Sequence, residues 1–190
     1  IAKTYQGFSN SGANSRIILT AEMNPGNANQ GVAKDINDVA FILAKSGGLD
    51  DGSVWFNKAD PNAVGLNVPK TVLDTDPATA TAPSSAFANA KPKTWAFVIG
   101  IPGASEVTTT PLLWTYGLKA DGTWDSQQSP WKGSGGHIAY LDGHVEWMDK
   151  LDVNDQNGAY FVGYTSKKPT VNYNDAISPK SKVVNAMGKD

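Results

Sequence analysis

The sequence contains no cysteine among its 190 residues. This absence excludes disulfide bonds, cysteine-based metal centres and thiol nucleophiles together. Positive charge is also sparse: 16 basic residues stand against 18 acidic ones, the formal net charge is −2, and only Lys167 and Lys168 are adjacent basic residues. Because no basic stripe is present to neutralise phosphates, we do not expect nucleic acid as a partner.

A long hydrophobic run is missing as well, since no stretch approaches the ~18 apolar residues that cross a membrane. The chain begins at Ile1 without a methionine. We therefore expect that a segment upstream of Ile1 was removed by processing or truncation and that it carried a signal or an anchor. Any membrane contact would then be made only through that missing segment.

Glycine and proline are plentiful, with 19 and 11 residues, whereas charged residues make up only 18% of the chain. Polar character comes mainly from Asn, Ser and Thr, which favour turns. The length fits one domain covering residues 1–190. This composition predicts a β-rich body with many loops.

The clearest helical pattern lies at residues 30–46, where apolar residues recur at helical spacing. Asn29 is the predicted N-cap, and Gly47-Gly48 is the predicted stop. A similar spacing near the N-terminus predicts that residues 1–12 are the end of a longer helix that was cut.

Runs rich in β-branched and aromatic residues predict three strands, at 94–100, 111–118 and 159–165. The other segments are predicted as a short strand leading into an Asp-Pro turn (52–65), a long surface loop (73–93) and a loop-rich tail (166–190). Together with the helices, these elements predict an α+β fold with an antiparallel sheet and long loops.

The densest stretch is "GGHIAYLDGHVEWM", residues 135–148, which holds both histidines. Asp142-Gly143 between two alternating runs predicts a two-residue hairpin turn. In that register Tyr140 opposes Val145 and Ile138 opposes Trp147. These four side chains are predicted to form an apolar core face.

The same register places His137 and His144 on the other, partly solvated face. Their separation of about four residues corresponds to on the order of 13 Å at ~3.3 Å per residue. Two imidazoles that far apart cannot share a metal ion. We therefore expect no catalytic residue and no enzymatic activity here, although a hydrolase that uses one of these histidines is a minor alternative.

Asp-rich turns offer the best remaining chemistry. Clustered Asp and Asn oxygens suit calcium, which takes six to eight oxygen ligands. The best candidate ligands lie in the turn at 152–158, and calcium is the one possible cofactor; the predicted ligands are Asp152, Asn154, Asp155 and Asn157. The alternative is ordinary turn chemistry, in which these side chains cap their own backbone.

The six tryptophans raise the possibility of carbohydrate binding, because exposed rings can stack on sugars. Trp95, Trp114 and Trp147 lie in strand-like segments and are predicted to be core. Only Trp124 and Trp131 lie in loop-like sequence.

The stretch "SGGHIAYLDGHVEW" resembles the C-terminal signature of prepilin-like proteins of the planctomycete and verrucomicrobial type, related to type II secretion pseudopilins. That signature is a His, nine residues and then Asp-Gly. Gly135-Gly136 and the Asp142-Gly143-His144-Val145 run match it, whereas Lys132 occupies the position of the signature His. "TPLLWTYGLKADGTW" (110–124) and "AFILAKSGGLDDGSVWFNKADP" (40–61) resemble segments that precede the signature in the family.

The resemblance implies a type IV pilin-like globular head, attached to a hydrophobic N-terminal helix that is absent from this sequence. It implies a structural, extracytoplasmic subunit of a pilus or type II secretion pseudopilus filament, whose partners are other subunits. Calcium in a C-terminal loop would also fit, because major pseudopilins bind it there. The alternative is a secreted β-sandwich that binds carbohydrate or serves adhesion.

Overall fold

A computed structural model describes residues 1, 33, 35–58, 60–102, 105–156 and 159–185. Its centre is a five-stranded antiparallel sheet with the strand order β4-β3-β2-β1-β7. A separate two-stranded ribbon pairs β5 with β6. The strand bounds are Trp95–Ile99 (β1), Pro111–Thr115 (β2), Gly136–Tyr140 (β3), Val145–Met148 (β4), Phe161–Val162 (β5), Pro169–Thr170 (β6) and Lys182–Val184 (β7). The chain is therefore α+β, as the sequence predicts.

The main helix, α1, spans Ile36–Gly47 and confirms the predicted helix over most of its length. It begins later than predicted, because Asp35 is the N-cap: its side chain accepts the backbone N–H groups of Asn37 and Asp38 at 2.8 and 3.0 Å. The proposed cap Asn29 is wrong for this helix and lies outside the described residues. Gly48 ends the helix in the left-handed conformation, with φ of 68°, as the Gly-Gly stop predicts.

The described residues of the 52–65 segment, which exclude position 59, do not form the predicted strand. They form two short 3-10 helices, Gly52–Trp55 and Pro61–Ala63, and the second begins at the predicted Asp-Pro turn. The segment predicted as a surface loop at 73–93 includes helix α2, Ser85–Asn89. Phe87 of α2 is fully buried against Trp55, with ring centroids 6.0 Å apart. The short helices that carry these two rings are stabilised by the contact between them, which lies outside any pattern of alternating residues in the sequence.

The predicted strands 94–100 and 111–118 are confirmed as β1 and β2, and a short strand, β5, lies within 159–165. The segment predicted as a loop-rich tail also contributes structure. It holds β6, helix α3 at Tyr173–Ala176, and β7, which pairs with β1 and completes the main sheet. The predicted helix end at 2–12 lies outside the described residues.

The two faces of the sheet are covered differently. On one face, Trp114 of β2 packs against Tyr173 of α3, with centroids 5.1 Å apart. On the other face, Trp55 covers Phe97 of β1 at 5.7 Å. Toward β4 this second face is open to solvent, since Val145 and Trp147 are exposed, whereas Ala139 of β3 is buried. The open part of the sheet positions the candidate site.

Candidate functional site

The hairpin between β3 and β4 is confirmed, but its turn is longer than predicted. The Tyr140 carbonyl accepts the Gly143 N–H at 2.9 Å, and the Tyr140 N–H donates to the His144 carbonyl at 3.0 Å. The loop therefore has three residues, 141–143. Only Gly143 has a positive φ, 92°, which is the geometry of a type I turn closed by a left-handed glycine.

The extra loop residue shifts the register by one. Ile138 pairs with Glu146, and His137 pairs with Trp147. The prediction that Val145 and Trp147 join the apolar core is therefore wrong, because a one-residue slip moves every side chain of a strand to the other face. Both residues are exposed, with exposed fractions of 55% and 44%.

Three aromatic rings meet on this open face. Trp131, His137 and Trp147 form an aromatic cluster in which every pair of rings meets edge to face, with centroids 5.0 to 5.2 Å apart. The Trp147 indole N–H donates to Asp149 Oδ1 at 2.6 Å. The cluster holds Trp147 in a fixed orientation at the surface, next to a carboxylate.

The second histidine has a different environment. The His144 ring stacks on Tyr140, with centroids 4.3 Å apart, and its Nδ1 lies 2.5 Å from Asp142 Oδ1. Burial, and then the carboxylates of Glu146 and Asp142, raise the pKa of the Tyr140 hydroxyl. Alternation along the ribbon puts His137 and His144 on opposite faces of the sheet, which corrects the prediction of a shared face.

An apolar groove of about 400 Å³ crosses the open face; we call it the outer groove. Each strand from β1 to β4 supplies one residue to its wall, in order Trp95, Leu113, Ala139 and Val145. His137 also lines it. Its remaining lining residues are Ile1, Val54 and Gly143. The Trp95 indole N–H donates to the Val54 carbonyl at 3.0 Å, which fixes the wall of the groove.

The glycine pair Gly135-Gly136 has a steric role. Gly135 has a φ of 137°, and a side chain there would lie 2.7 Å from both the Met148 carbonyl and the Trp147 ring. A side chain at Gly136 would collide with Thr115 and with the Trp124 ring. Lys132, at the position of the signature His, is exposed and has a φ of 50°.

Three of the predicted calcium ligands, Asp152, Asn154 and Asp155, lie in a turn at the surface. Asp152 Oδ1 accepts the Asn154 N–H at 3.0 Å, and Lys150 Nζ lies 3.4 Å from Asp152 Oδ2. The backbone hydrogen bond from Asn154, and then Lys150, lower the pKa of Asp152. Asn157 lies outside the described residues. In the described part of the chain, no three His, Cys, Asp or Glu side chains come close enough to hold a metal ion, so calcium stays a prediction.

Sequence reasoning missed a buried polar cluster beside the Asp-Pro turn. Asp60 is 1% exposed and accepts the Tyr116 hydroxyl at 2.6 Å, while the Asn62 side-chain amide donates to the same hydroxyl at 3.0 Å. Burial, and then the hydrogen bond to Asp60, raise the pKa of Tyr116. The two residues are 56 positions apart, so no local pattern pairs them.

A buried lysine was also missed. Lys93 is fully buried, and its ammonium donates to the Phe87 and Ala90 carbonyls at 3.1 and 3.0 Å. It lies 4.6 Å from the centroid of the Phe87 ring. Burial, and then the charge of Lys91, lower the pKa of Lys93 to about 8. Its contacts cap the C-terminal end of α2, which is a structural role.

The tryptophans divide differently from the prediction. Trp114 is core, as predicted, whereas Trp95 is half-buried and Trp147 is exposed. Trp124 is 4% exposed despite its loop-like sequence, and its buried indole N–H donates to the Met148 carbonyl at 2.9 Å. Trp131 is half-buried in the aromatic cluster.

No protein-family model matches this chain, and neither the curated proteins nor the solved structures give a match. Within the described ranges, no helix has the length and apolar character needed to cross a membrane.

Proposed function

We propose that this chain is the globular head of a type IV pilin-like or pseudopilin-like filament subunit with a structural rather than a catalytic role. The outer groove is the observation that carries the proposal. It is an apolar strip across four antiparallel strands, and Ile1 is one of its lining residues. An apolar helix joined to Ile1 would therefore start beside a surface that could bury one of its faces.

Covering the exposed apolar residues of the groove would favour assembly. Val145 and Val54 are 55% and 36% exposed, and they continue the apolar surface of Trp95 and Leu113. Because these side chains are already partly buried, covering the rest of each one stabilises an assembly by about 1 kcal/mol, less than the roughly 1.5–3 kcal/mol of burying a fully exposed side chain. A pilin-like filament is built outside the cytoplasm, so the head of such a subunit would be extracytoplasmic.

The first test is to determine the coding sequence upstream of Ile1. A run of about 20 apolar residues, long enough to span a membrane, supports the proposal when a prepilin-peptidase site precedes it. A secretory signal peptide that ends directly before Ile1 contradicts it.

The second test uses matched surface variants of the subunit with its upstream segment. Val145→Lys puts a charge into the outer groove, and Val64→Lys puts the same charge at a site that is 82% exposed and outside the groove. Electron microscopy should show fewer filaments for Val145→Lys and normal filaments for Val64→Lys. Equal filament yields from the two variants would show that the outer groove is not a contact surface in the filament.

A carbohydrate-binding or adhesion module is the second candidate, and one observation favours it. Trp147 is 44% exposed and hydrogen-bonded to Asp149, a ring and carboxylate pair that suits stacking on a sugar. The described residues contain one large sheet and a two-stranded ribbon, which is a weaker fit to a two-sheet sandwich. Quenching of Trp fluorescence by soluble oligosaccharides, absent in Trp147→Ala, would favour this candidate.

A further inference from the structure

The two edges of the five-stranded sheet have opposite chemical characters. β4 forms one edge and β7 the other, and in the described part of the chain neither has a strand on its outer side. Residues 145, 146 and 147 of β4 are exposed. Since Tyr140 and His144 form a hydrogen-bonded pair, alternation makes 139/145 and 137/147 non-hydrogen-bonded pairs. The backbone N–H and C=O groups of Val145 and Trp147 therefore point away from β3.

The β4 edge is acidic. An open groove of about 550 Å³ runs beside it, which we call the edge groove. Its charged lining residues are four carboxylates and one ammonium group: Glu146, Asp149, Asp152, Asp155 and Lys150. Lys150 lies 3.4 Å from Asp152. Because four carboxylates are set against this one ammonium group, the groove has a net negative charge.

The β7 edge is basic. Residues 179–185 hold Lys180 and Lys182 and no acidic residue. Both lysines are exposed, and Val183, which follows Lys182 in the strand, is half-buried. This short extended segment carries the opposite charge to the edge groove.

Charge decides which edges can meet. Two β4 edges would bring two sets of carboxylates together, and two β7 edges would bring lysines together, so each like pairing is repelled. We propose that β4 of one copy of this chain pairs with β7 of the next copy. The inference deepens the proposed function, on which its biological role rests, by naming a contact between neighbouring heads.

The topology makes such a contact propagate. Every neighbouring pair in the sheet is antiparallel, so β4 and β7 run in the same direction. A second copy placed beyond β4 in the same orientation would present its β7 as a parallel neighbour. Because the two surfaces differ, the contact is head-to-tail, and head-to-tail contacts generate open chains when they do not close into a ring.

Both strands are short, with four and three residues, so the contact is weak between free heads. In a filament, tethering through another element raises the effective concentration of neighbouring heads and makes a weak contact significant.

The cysteine-free chain allows a direct test by disulfide trapping. Glu146→Cys and Lys182→Cys each place one thiol at an exposed position of one edge and keep the other charges of that edge. The two variants are mixed in equal amounts at high protein concentration and oxidised. Random collisions would give mixed dimers as half of the product, and we expect a several-fold excess of mixed over like dimers that declines in high salt.

Two controls sharpen the result. Val64→Cys, at a position that is 82% exposed, should give only the random share with either edge variant. Carbodiimide treatment of the unmodified chain should join Lys180 or Lys182 to a carboxylate of the edge groove between copies, as mass spectrometry of isotopically mixed protein would reveal. A random share of mixed disulfides, or dominance of like dimers, overturns the inference.

These outcomes separate the inference from the proposed function. Filaments of the complete subunit without the mixed cross-link would overturn the edge contact and leave the filament proposal standing. The mixed cross-link with no filaments from the complete subunit would leave the edge contact standing and count against the filament.

Discussion

His137 and Trp147 face each other across the β3–β4 hairpin, with ring centroids 5.0 Å apart, on the open face of the sheet. A two-residue turn would have placed Trp147 opposite Ile138 in the core. The three-residue loop places it at the surface instead, and that single step in register decides which face of the molecule is available to a partner.

The first prediction compares two tryptophans. Trp124→Ala should destabilise the fold by about 3–5 kcal/mol, because it empties a core site. Trp147→Ala should cost only about 1 kcal/mol, since the ring is 44% exposed. Urea unfolding followed by circular dichroism measures both. Equal costs would show that Trp147 is packed in the core after all.

The second prediction concerns the buried pair Tyr116 and Asp60. Tyr116→Phe should cost about 1–3 kcal/mol, because it leaves a buried carboxylate oxygen without its hydroxyl donor. Tyr164→Phe, at a half-buried site, is the control, and its free energy of unfolding should stay within about 0.5 kcal/mol of that of the unmodified protein. A double-mutant cycle with Asp60→Asn should give a coupling of about 0.5–3 kcal/mol, and additive costs would argue against a direct interaction.

The third prediction is a pH dependence of stability caused by Lys93. Its pKa is about 8 in the folded protein and about 10.4 in the unfolded chain. Between these values the unfolded state binds more protons, so the free energy of unfolding should rise with pH, by at most about 1.4 kcal/mol per unit. Below the folded pKa both states are protonated, so the free energy of unfolding no longer changes with pH through Lys93, and the cost of burying the ammonium is fully present.

Unfolding in urea at several pH values between about 8 and 9.5 measures the slope and avoids tyrosine ionisation near 10. Lys93→Met should lose this rise with pH, whatever its absolute stability. Lys182→Met, at an exposed site, is the control and should keep it. An unchanged slope in Lys93→Met would show that another group causes the effect.

The fourth prediction is calcium binding at the 152–158 turn. If calcium binds only the native state, a hundredfold excess over its dissociation constant should add about 2.7 kcal/mol of stability. Thermal unfolding with calcium and with EGTA tests this. Asp152→Asn keeps an oxygen that can accept the Asn154 N–H but removes the charge, so it should abolish the shift in melting temperature. An identical melting temperature in calcium and EGTA would end the calcium hypothesis.

Local signals located several elements correctly. Asp142-Gly143 marked the hairpin and Gly47-Gly48 marked the end of α1, because both depend on backbone conformations that glycine adopts readily. The turn length was beyond local signals, since a two-residue turn and a three-residue turn with a terminal left-handed glycine both accommodate Asp-Gly. The position of β7 was also beyond them, because its partner β1 lies more than eighty residues earlier.

The sequence by itself determined the α+β class, the hairpin and the absence of cysteine chemistry, because composition and short-range patterns act through neighbouring residues. Only the tertiary structure decided that Trp147 lies outside, that Asp60 meets Tyr116, that Lys93 is buried, and that acidic and basic edges border one sheet. Each of these depends on residues brought together from distant positions, whose contacts arise from packing the whole chain and not from any local preference.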